Sequence, residues 1–168
     1  AGKDLRNIFT RCQQQGRPMP IAQACFIVMK VGEGLDYAHN KRDKHGRHLN
    51  IVHRDVSPPN ILVSYDGATK IVDFGVALQG RQAERTGVTN EKIKGKGPYM
   101  SPEQALGKPI NRRTDVFAMG IVMYQLSTGR HPFRADSEIA TLRNILDLAP
   151  DPPSMHVMGY PRPLEMVV

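Results

Sequence analysis

The sequence predicts an α+β fold that is predominantly helical, with one small β-hairpin between its two main helical stretches. Three observations predict it. Residues 20–39 repeat apolar side chains at three- and four-residue intervals. Residues 114–128 are apolar on several sides, the pattern of a helix buried all round. Between them, Ile61-Leu62-Val63-Ser64 and Thr69-Lys70-Ile71-Val72 are short β-branched runs separated by Tyr65-Asp66-Gly67-Ala68, an Asp-Gly turn signal.

Taken in order, the chain opens Ala1-Gly2-Lys3-Asp4-Leu5, where Asp4 is a candidate cap for a following helix. The next helix carries Pro20 in its first turn and an apolar face of Ile21, Cys25, Val28, Val31 or Gly32, Leu35 and Ala38. After the hairpin, the buried helix from about Thr114 to Thr128 ends at Gly129, a residue suited to a helix C-terminus. Asp136 or Ser137 can cap a third helix through Ile139, Leu142, Ile145 and Leu146. Pro150, Pro152 and Pro153 then break it, and the final stretch is rich in Pro and Met.

The composition sets bounds. With 168 residues, 40% of them apolar, the chain is long enough for a single domain with a sizeable core. It has no internal repeat, and no apolar run is long enough to span a bilayer. Cys12 and Cys25 are thirteen apart, in neither metal nor redox spacing. They read as reduced thiols, which fits a cytoplasmic setting. The net charge is +7, with Lys41, Arg42, Lys44, Arg47 and the flanking His45 and His48 in one loop. Such a cluster suits nucleic acid or an acidic partner. The plainer reading is a solvated loop, since no aromatic residues interleave it for base stacking, and no nucleic acid is expected. The six histidines show no ligand pairing, and the sequence does not speak to oligomeric state.

The residues flanking the hairpin carry the chemistry. On one side stands His53-Arg54-Asp55-Val56-Ser57-Pro58-Pro59-Asn60, and Asp73-Phe74-Gly75 follows on the other, thirteen residues after Asn60. A hairpin between them would place Asn60 at the start of one strand and Asp73 at the end of the other. Downstream come Gly97-Pro98-Tyr99-Met100-Ser101-Pro102-Glu103 and Asp115-Val116-Phe117-Ala118-Met119-Gly120. In this order the motifs resemble those of the protein kinases, Ser/Thr type and bacterial-like: the catalytic loop, the metal-binding loop, the end of the activation segment and the start of the long buried helix of the C-terminal lobe.

The resemblance implies a protein-kinase-like C-terminal lobe whose hairpin carries the active-site loops, with the helix of residues 20–39 packed beneath the catalytic loop. It implies ATP and Mg²⁺ as cofactors and a protein substrate. Asp55 would orient the substrate hydroxyl and take its proton, while Asn60 and Asp73 would hold Mg²⁺. Leu62 would contact the adenine, with Val122 and Leu126 stacked behind it, and Asp4 would sit where the family contacts the ribose. For Asp4 the helix-cap reading stands beside this one. His53 would be a core residue supporting Phe74 and not a base, and Asp115 would accept hydrogen bonds from the catalytic-loop backbone.

Two departures from the family pattern face each other. The Lys usual two residues after the catalytic Asp is Ser57, and the Thr usual seven residues before the motif's Glu is Lys96. If the two have changed places, Lys96 reaches Asp55 and Ser57 and neutralises the moving phosphoryl group. Otherwise Lys96 is a surface residue and the kinase is weakened. Arg54 implies a pairing with a phosphate on the activation segment, with Thr89 the first candidate and Thr86 the second. Pro59 replaces the Glu with which some members read basic residues.

Nothing before Asp55 supplies the Gly-rich loop, strand Lys and helix Glu of an N-terminal lobe. Residues 1–168 therefore read as one partial catalytic domain, lacking that lobe and the last helices, with Glu103 without its Arg partner. The function expected of the intact protein is ATP-dependent phosphorylation of Ser/Thr hydroxyls, with the fragment alone inactive. The alternative is a pseudokinase that binds nucleotide or partners without turnover.

Overall fold

A computed structural model describes residues 1–74 and 97–168. Three short antiparallel strands form one sheet in the order β1-β2-β3: β1 (Gly2–Asp4), β2 (Ile61–Ser64) and β3 (Thr69–Ile71). β2 and β3 are the predicted hairpin, with Val63 opposite Thr69 and Ile61 opposite Ile71. Gly67 at its turn has φ +89°, a conformation that a side chain would strain. β1 adds a strand on the other edge, pairing Gly2 with Ser64 and Asp4 with Leu62. A Cβ on Gly2 would stand 2.5 Å from the Val63 carbonyl oxygen, so glycine is what allows this approach.

Asp4 ends β1 and caps α1 (Leu5–Gln14), accepting from the Asn7 backbone N–H at 2.8 Å. α2 (Ile21–His39) begins after Pro20. α3 (Pro102–Ala105) is a single turn, α4 (Arg112–Thr128) is the buried helix, and α5 (Glu138–Asp147) and the short α6 (Arg162–Glu165) complete the set. Asn111 caps α4, Ser137 caps α5, and Gly129 closes α4 in the left-handed region with φ 76°.

The core lies where α2, α4 and the sheet meet. Leu5, Val31, Leu35, Val56, Ile61, Val122 and Leu126 are all fully buried there, each contributing about 1.5–3 kcal/mol over an exposed side chain. α4 buries polar Thr114, Asp115, Gln125 and Ser127 alongside its apolar residues, so from Phe117 to Thr128 it has no exposed residue, as expected, whereas Val116 in its first turns is exposed. Two faces differ from the expected ones. α2 turns Ala24, Ile27, Val31, Leu35 and Ala38 inward and leaves Cys25 and Val28 half-buried. With apolar residues around most of its circumference, periodicity alone cannot select between neighbouring faces. In α5, Thr141 and Ile145 point inward, whereas Ile139 is 79% exposed.

Candidate active site

The loop between α2 and β2 is held from below by one carboxylate. Asp115, in the first turn of α4, is fully buried and accepts three hydrogen bonds. The donors are the backbone N–H of His53 at 2.8 Å, the backbone N–H of Arg54 at 2.8 Å and His39 Nε2 at 2.7 Å. Hydrogen bonds to a charged group contribute about 1.5–3 kcal/mol each, so this one side chain fixes the loop's backbone and the end of α2 together. The expected role of Asp115 is what the structure displays.

The His53 ring is also fully buried, 4.5 Å from the Phe74 ring between centroids. Its Nε2 lies 2.9 Å from the Val72 carbonyl and its Nδ1 3.3 Å from the Asp55 N–H. A carbonyl only accepts and an N–H only donates, so Nε2 carries the proton and Nδ1 accepts: the ring is neutral. Burial pushes its pKa down, against opposing effects from the Val72 hydrogen bond and from Asp115, Asp55 and Asp73. A neutral ring that bridges Asp55 to Val72 is a spacer between the two loops, and both of its nitrogens are already engaged.

Asn60 ties the remaining ends. Its Nδ2 donates to the Asp55 carbonyl at 2.9 Å and to Asp55 Oδ2 at 3.0 Å, and its carbonyl accepts from the Val72 N–H at 2.9 Å. The last contact extends the hairpin by one rung and brings Asn60 beside the residue that precedes Asp73. Asp73 is exposed with φ 59°, and Arg54 has φ 71°. Left-handed backbone at a non-glycine residue costs on the order of 1 kcal/mol or more, and here it flanks both candidate catalytic carboxylates. The hydrogen bonds around Arg54 and Val72 hold this arrangement in place.

The donor set suits a hard cation. Asn60 Nδ2 is committed to Asp55, which leaves Oδ1 as the outward oxygen, and the Asp73 carboxylate is exposed. Among the described residues no group of three His, Cys, Asp or Glu side chains could hold a metal. One carboxylate and one amide oxygen instead match Mg²⁺, which is commonly bound by one or two protein oxygens with phosphates and water supplying the rest.

Leu62, 40% exposed, projects from β2 into a cavity of about 620 Å³ that Asp4, Asn7 and Lys70 also line. Both Asp4 oxygens accept from Asn7, from its N–H and from its side-chain Nδ2. Asp4 is therefore the helix cap and lines the cavity as well, so both readings of this residue keep a footing. Val122 and Leu126 are buried in the core that includes Ile61. Ser57 is nearly buried at the start of the 3-10 turn Pro58–Asn60. Lys96, Thr86, Thr89 and Gly75 lie outside the described residues.

Several contacts that sequence reasoning missed brace the site from the Gly97–Glu103 side. Gln104 Nε2 donates to the Arg54 carbonyl at 3.0 Å, and Ser101 caps α3 in a reciprocal box with Gln104. Glu103 does have a partner: the Thr114 hydroxyl donates to it at 2.6 Å. Its burial raises the carboxyl pKa, but the hydrogen bonds, that from Thr114 foremost, outweigh it and hold the group below its ordinary value. The Tyr99 hydroxyl donates to Gln125 Oε1 at 2.6 Å. A Ser at position 101 followed three residues later by Gln was a legible capping signal. The basic loop is organised around Asp43, which accepts from the backbone N–H of His45 and Arg47 and pairs with the Arg47 guanidinium at 2.9 Å.

Comparison with known proteins agrees with this geometry. The family described as protein kinase domain matches residues 2–157. The tyrosine-protein kinase MasK of Myxococcus xanthus is 35% identical over 170 aligned positions, which take in all of this chain and 26% of that protein. The serine/threonine-protein kinase PknB of Mycobacterium leprae is 37% identical over 152 positions, covering 90% of this chain and 23% of its own length. A probable serine/threonine-protein kinase of Clostridium acetobutylicum is 39% identical over 153 positions, with 90% and 21% covered. The chain thus spans about a quarter of the length of these curated relatives.

Proposed function

The chain belongs to the protein kinase family, and from that premise we propose that it carries the catalytic centre of an ATP-dependent kinase for protein Ser/Thr hydroxyls. Residues 1–168 correspond in this reading to the C-terminal lobe of the catalytic domain. The single observation that carries it is the assembly of Asp55, Asn60 and the Asp73 loop around buried His53, with Asp115 as the common anchor.

Asp55 orients the substrate hydroxyl and accepts its proton as the oxygen bonds to the terminal phosphorus of ATP and the bond from that phosphorus to ADP breaks, releasing ADP. Asn60 donates to Asp55 Oδ2, which fixes the rotation of that carboxylate, and its own Oδ1 would be the atom that holds the cation. Mg²⁺, held by Asn60 and Asp73, would supply charge neutralisation of the phosphates. Leu62 would offer an apolar surface to the adenine, and Asp4, which lines the same cavity, would meet the ribose. Ser57 and Lys96 together supply the hydroxyl and the cation beside the transferring group, so Lys96→Ala should lower turnover. The Arg54 guanidinium has no ion-pair partner among the described residues, which suits a later pairing with phosphorylated Thr89 or Thr86. Among the described residues no helix is long and apolar enough to cross a membrane. The free thiols of Cys12 and Cys25 fit a cytoplasmic site of action.

Preference for Ser/Thr over Tyr rests on the names of most relatives, against one named a tyrosine kinase. The test is transfer of labelled γ-phosphate from ATP to an acceptor protein by the full-length protein, followed by phosphoamino-acid analysis. Phosphoserine and phosphothreonine are expected. Label confined to phosphotyrosine would overturn the Ser/Thr assignment, and no incorporation would overturn the kinase reading.

A further inference from the structure

A second cavity, about 550 Å³, opens beside the catalytic loop, where Ser57, Pro58 and Pro59 form one wall. These are the second, third and fourth residues after Asp55. A peptide whose hydroxyl reaches Asp55 advances about 3.3 Å per residue when extended, so its neighbouring residues lie across this mouth. The Tyr99 hydroxyl and Gln125, bonded to each other at 2.6 Å, also line it. Neither of them, nor Pro59, brings a carboxylate.

Two guanidinium groups enter the cavity from different elements, Arg6 from α1 and Arg134 from the segment between α4 and α5. Neither has an ion pair or hydrogen bond among the described residues. Both act on the Tyr99 hydroxyl: burial raises its pKa, and Arg134 and Arg6 oppose that rise. The potential at Tyr99 is thereby made more positive by both. The cavity also has two carboxylates, Asp136 and Glu138, placed at the start of α5. There the helix N-terminus favours negative charge, and Glu138 has an interaction of its own. Arg6 and Arg134 are the only cationic side chains among the described residues that line it.

We propose that this cavity receives a negatively charged side chain of the protein substrate, gripped by Arg6 and Arg134 while the neighbouring hydroxyl faces Asp55. The inference rests on the kinase reading of the site and adds the substrate class: a protein whose phosphorylated residue has an acidic neighbour. Arg suits this task because its planar fork binds a carboxylate or phosphate through two parallel hydrogen bonds.

Binding of fluorescent peptides to the full-length protein, read by anisotropy, tests this without turnover. The peptides share one Ser and differ only in having Glu, phosphoserine, Ala or Arg at its neighbours. The Glu peptide should bind about tenfold tighter than the Ala peptide, equivalent to about 1.4 kcal/mol, and the Arg peptide more weakly than either. The Glu advantage should shrink as salt rises, since exposed charge pairs are screened. An Arg6→Ala/Arg134→Ala variant that melts like the parent should lose the discrimination, and the double Lys variant should retain part of it. A phosphoserine peptide that exceeds the Glu peptide would assign the cavity to previously phosphorylated substrates, still as an anion site. Equal binding of Glu and Ala peptides, a Glu advantage insensitive to salt, or an advantage surviving in the Ala double variant would overturn the proposal. If the protein discriminates the peptides but transfers no phosphate, the kinase reading fails while the anion site stands.

Discussion

The catalytic loop leads directly into β2, whose next residues line the Leu62 cavity, and these two neighbouring regions are built in contrasting ways. Asp55 is set by buried and part-buried hydrogen bonds from several elements: Asp115 below, His53 across to Val72, Asn60 alongside and Gln104 on the Arg54 carbonyl. Leu62 and Asp4 instead line an open cavity, and among the described residues the only hydrogen bonds to the Asp4 side chain are local ones from Asn7. The carboxylate proposed for proton transfer is over-determined by the fold, as preorganised chemistry would require. Residues that provide an apolar or hydrogen-bonding surface for a ligand are left accessible.

Breaking the anchor should have the largest effect. Asp115→Asn places an amide N–H₂ against backbone donors and should destabilise the protein by about 3–5 kcal/mol, measured by urea unfolding, with phosphotransfer lost in parallel. A loss near 1 kcal/mol would mean that the loop stands without its carboxylate.

Acid sharpens the comparison next, because imidazoles held neutral by burial lie on the loop side. His53 is lowered by burial, as described above. His131, which packs edge-on to Tyr99, is pushed down to about 4 by burial and then by Arg134, against the opposing effect of the Pro98 carbonyl, which can only accept from the ring. A folded-state pKa below the unfolded value means that the unfolded chain binds more protons between the two. The stability due to a neutral His131 is therefore fully present above about pH 6.5 and is lost as pH falls toward about 4, by on the order of 2–3 kcal/mol. Urea midpoints measured over this range should fall with acid, and His131→Gln should flatten part of that slope. An unchanged slope would show that the ring is not held neutral.

The smallest effect belongs to the open cavity. Asp4→Ala removes the α1 cap and should cost about 1 kcal/mol. If Asp4 also serves the ribose, the same variant should weaken nucleotide binding by more than its loss of stability explains, as read by ATP titration. An unchanged nucleotide Kd would leave Asp4 as a cap alone.

The hairpin, the buried helix and the candidate site were legible for physical reasons. Asp66-Gly67 marks a turn whose Gly indeed has positive φ, and the apolar circumference of residues 114–128 identifies a helix that is buried on most of its sides. Asp55, Asn60 and Asp73 were legible as motifs on either side of that hairpin. β1 was not, because three residues have no periodicity of their own and become a strand only by pairing with β2. In the first half of α2 the inward face lies one position before the expected one, at Ala24 and Ile27, for the related reason that too many residues there are apolar, whereas Val31, Leu35 and Ala38 face inward as expected. Gln104 on the Arg54 carbonyl, Thr114 on Glu103 and Tyr99 on Gln125 join residues far apart in the chain, and such pairs leave no mark in spacing.

The central claim is that the catalytic loop is set in place before any ligand arrives. Amide hydrogen exchange of the full-length protein without nucleotide tests it most directly, by following the backbone N–H groups of His53, Arg54 and Asp55 against those of the exposed loop at residues 43–48. Slow exchange at the first three, abolished by Asp115→Asn, is the result predicted. Exchange as fast as in the exposed loop, slowed only when Mg²⁺ and ATP are added, would contradict it.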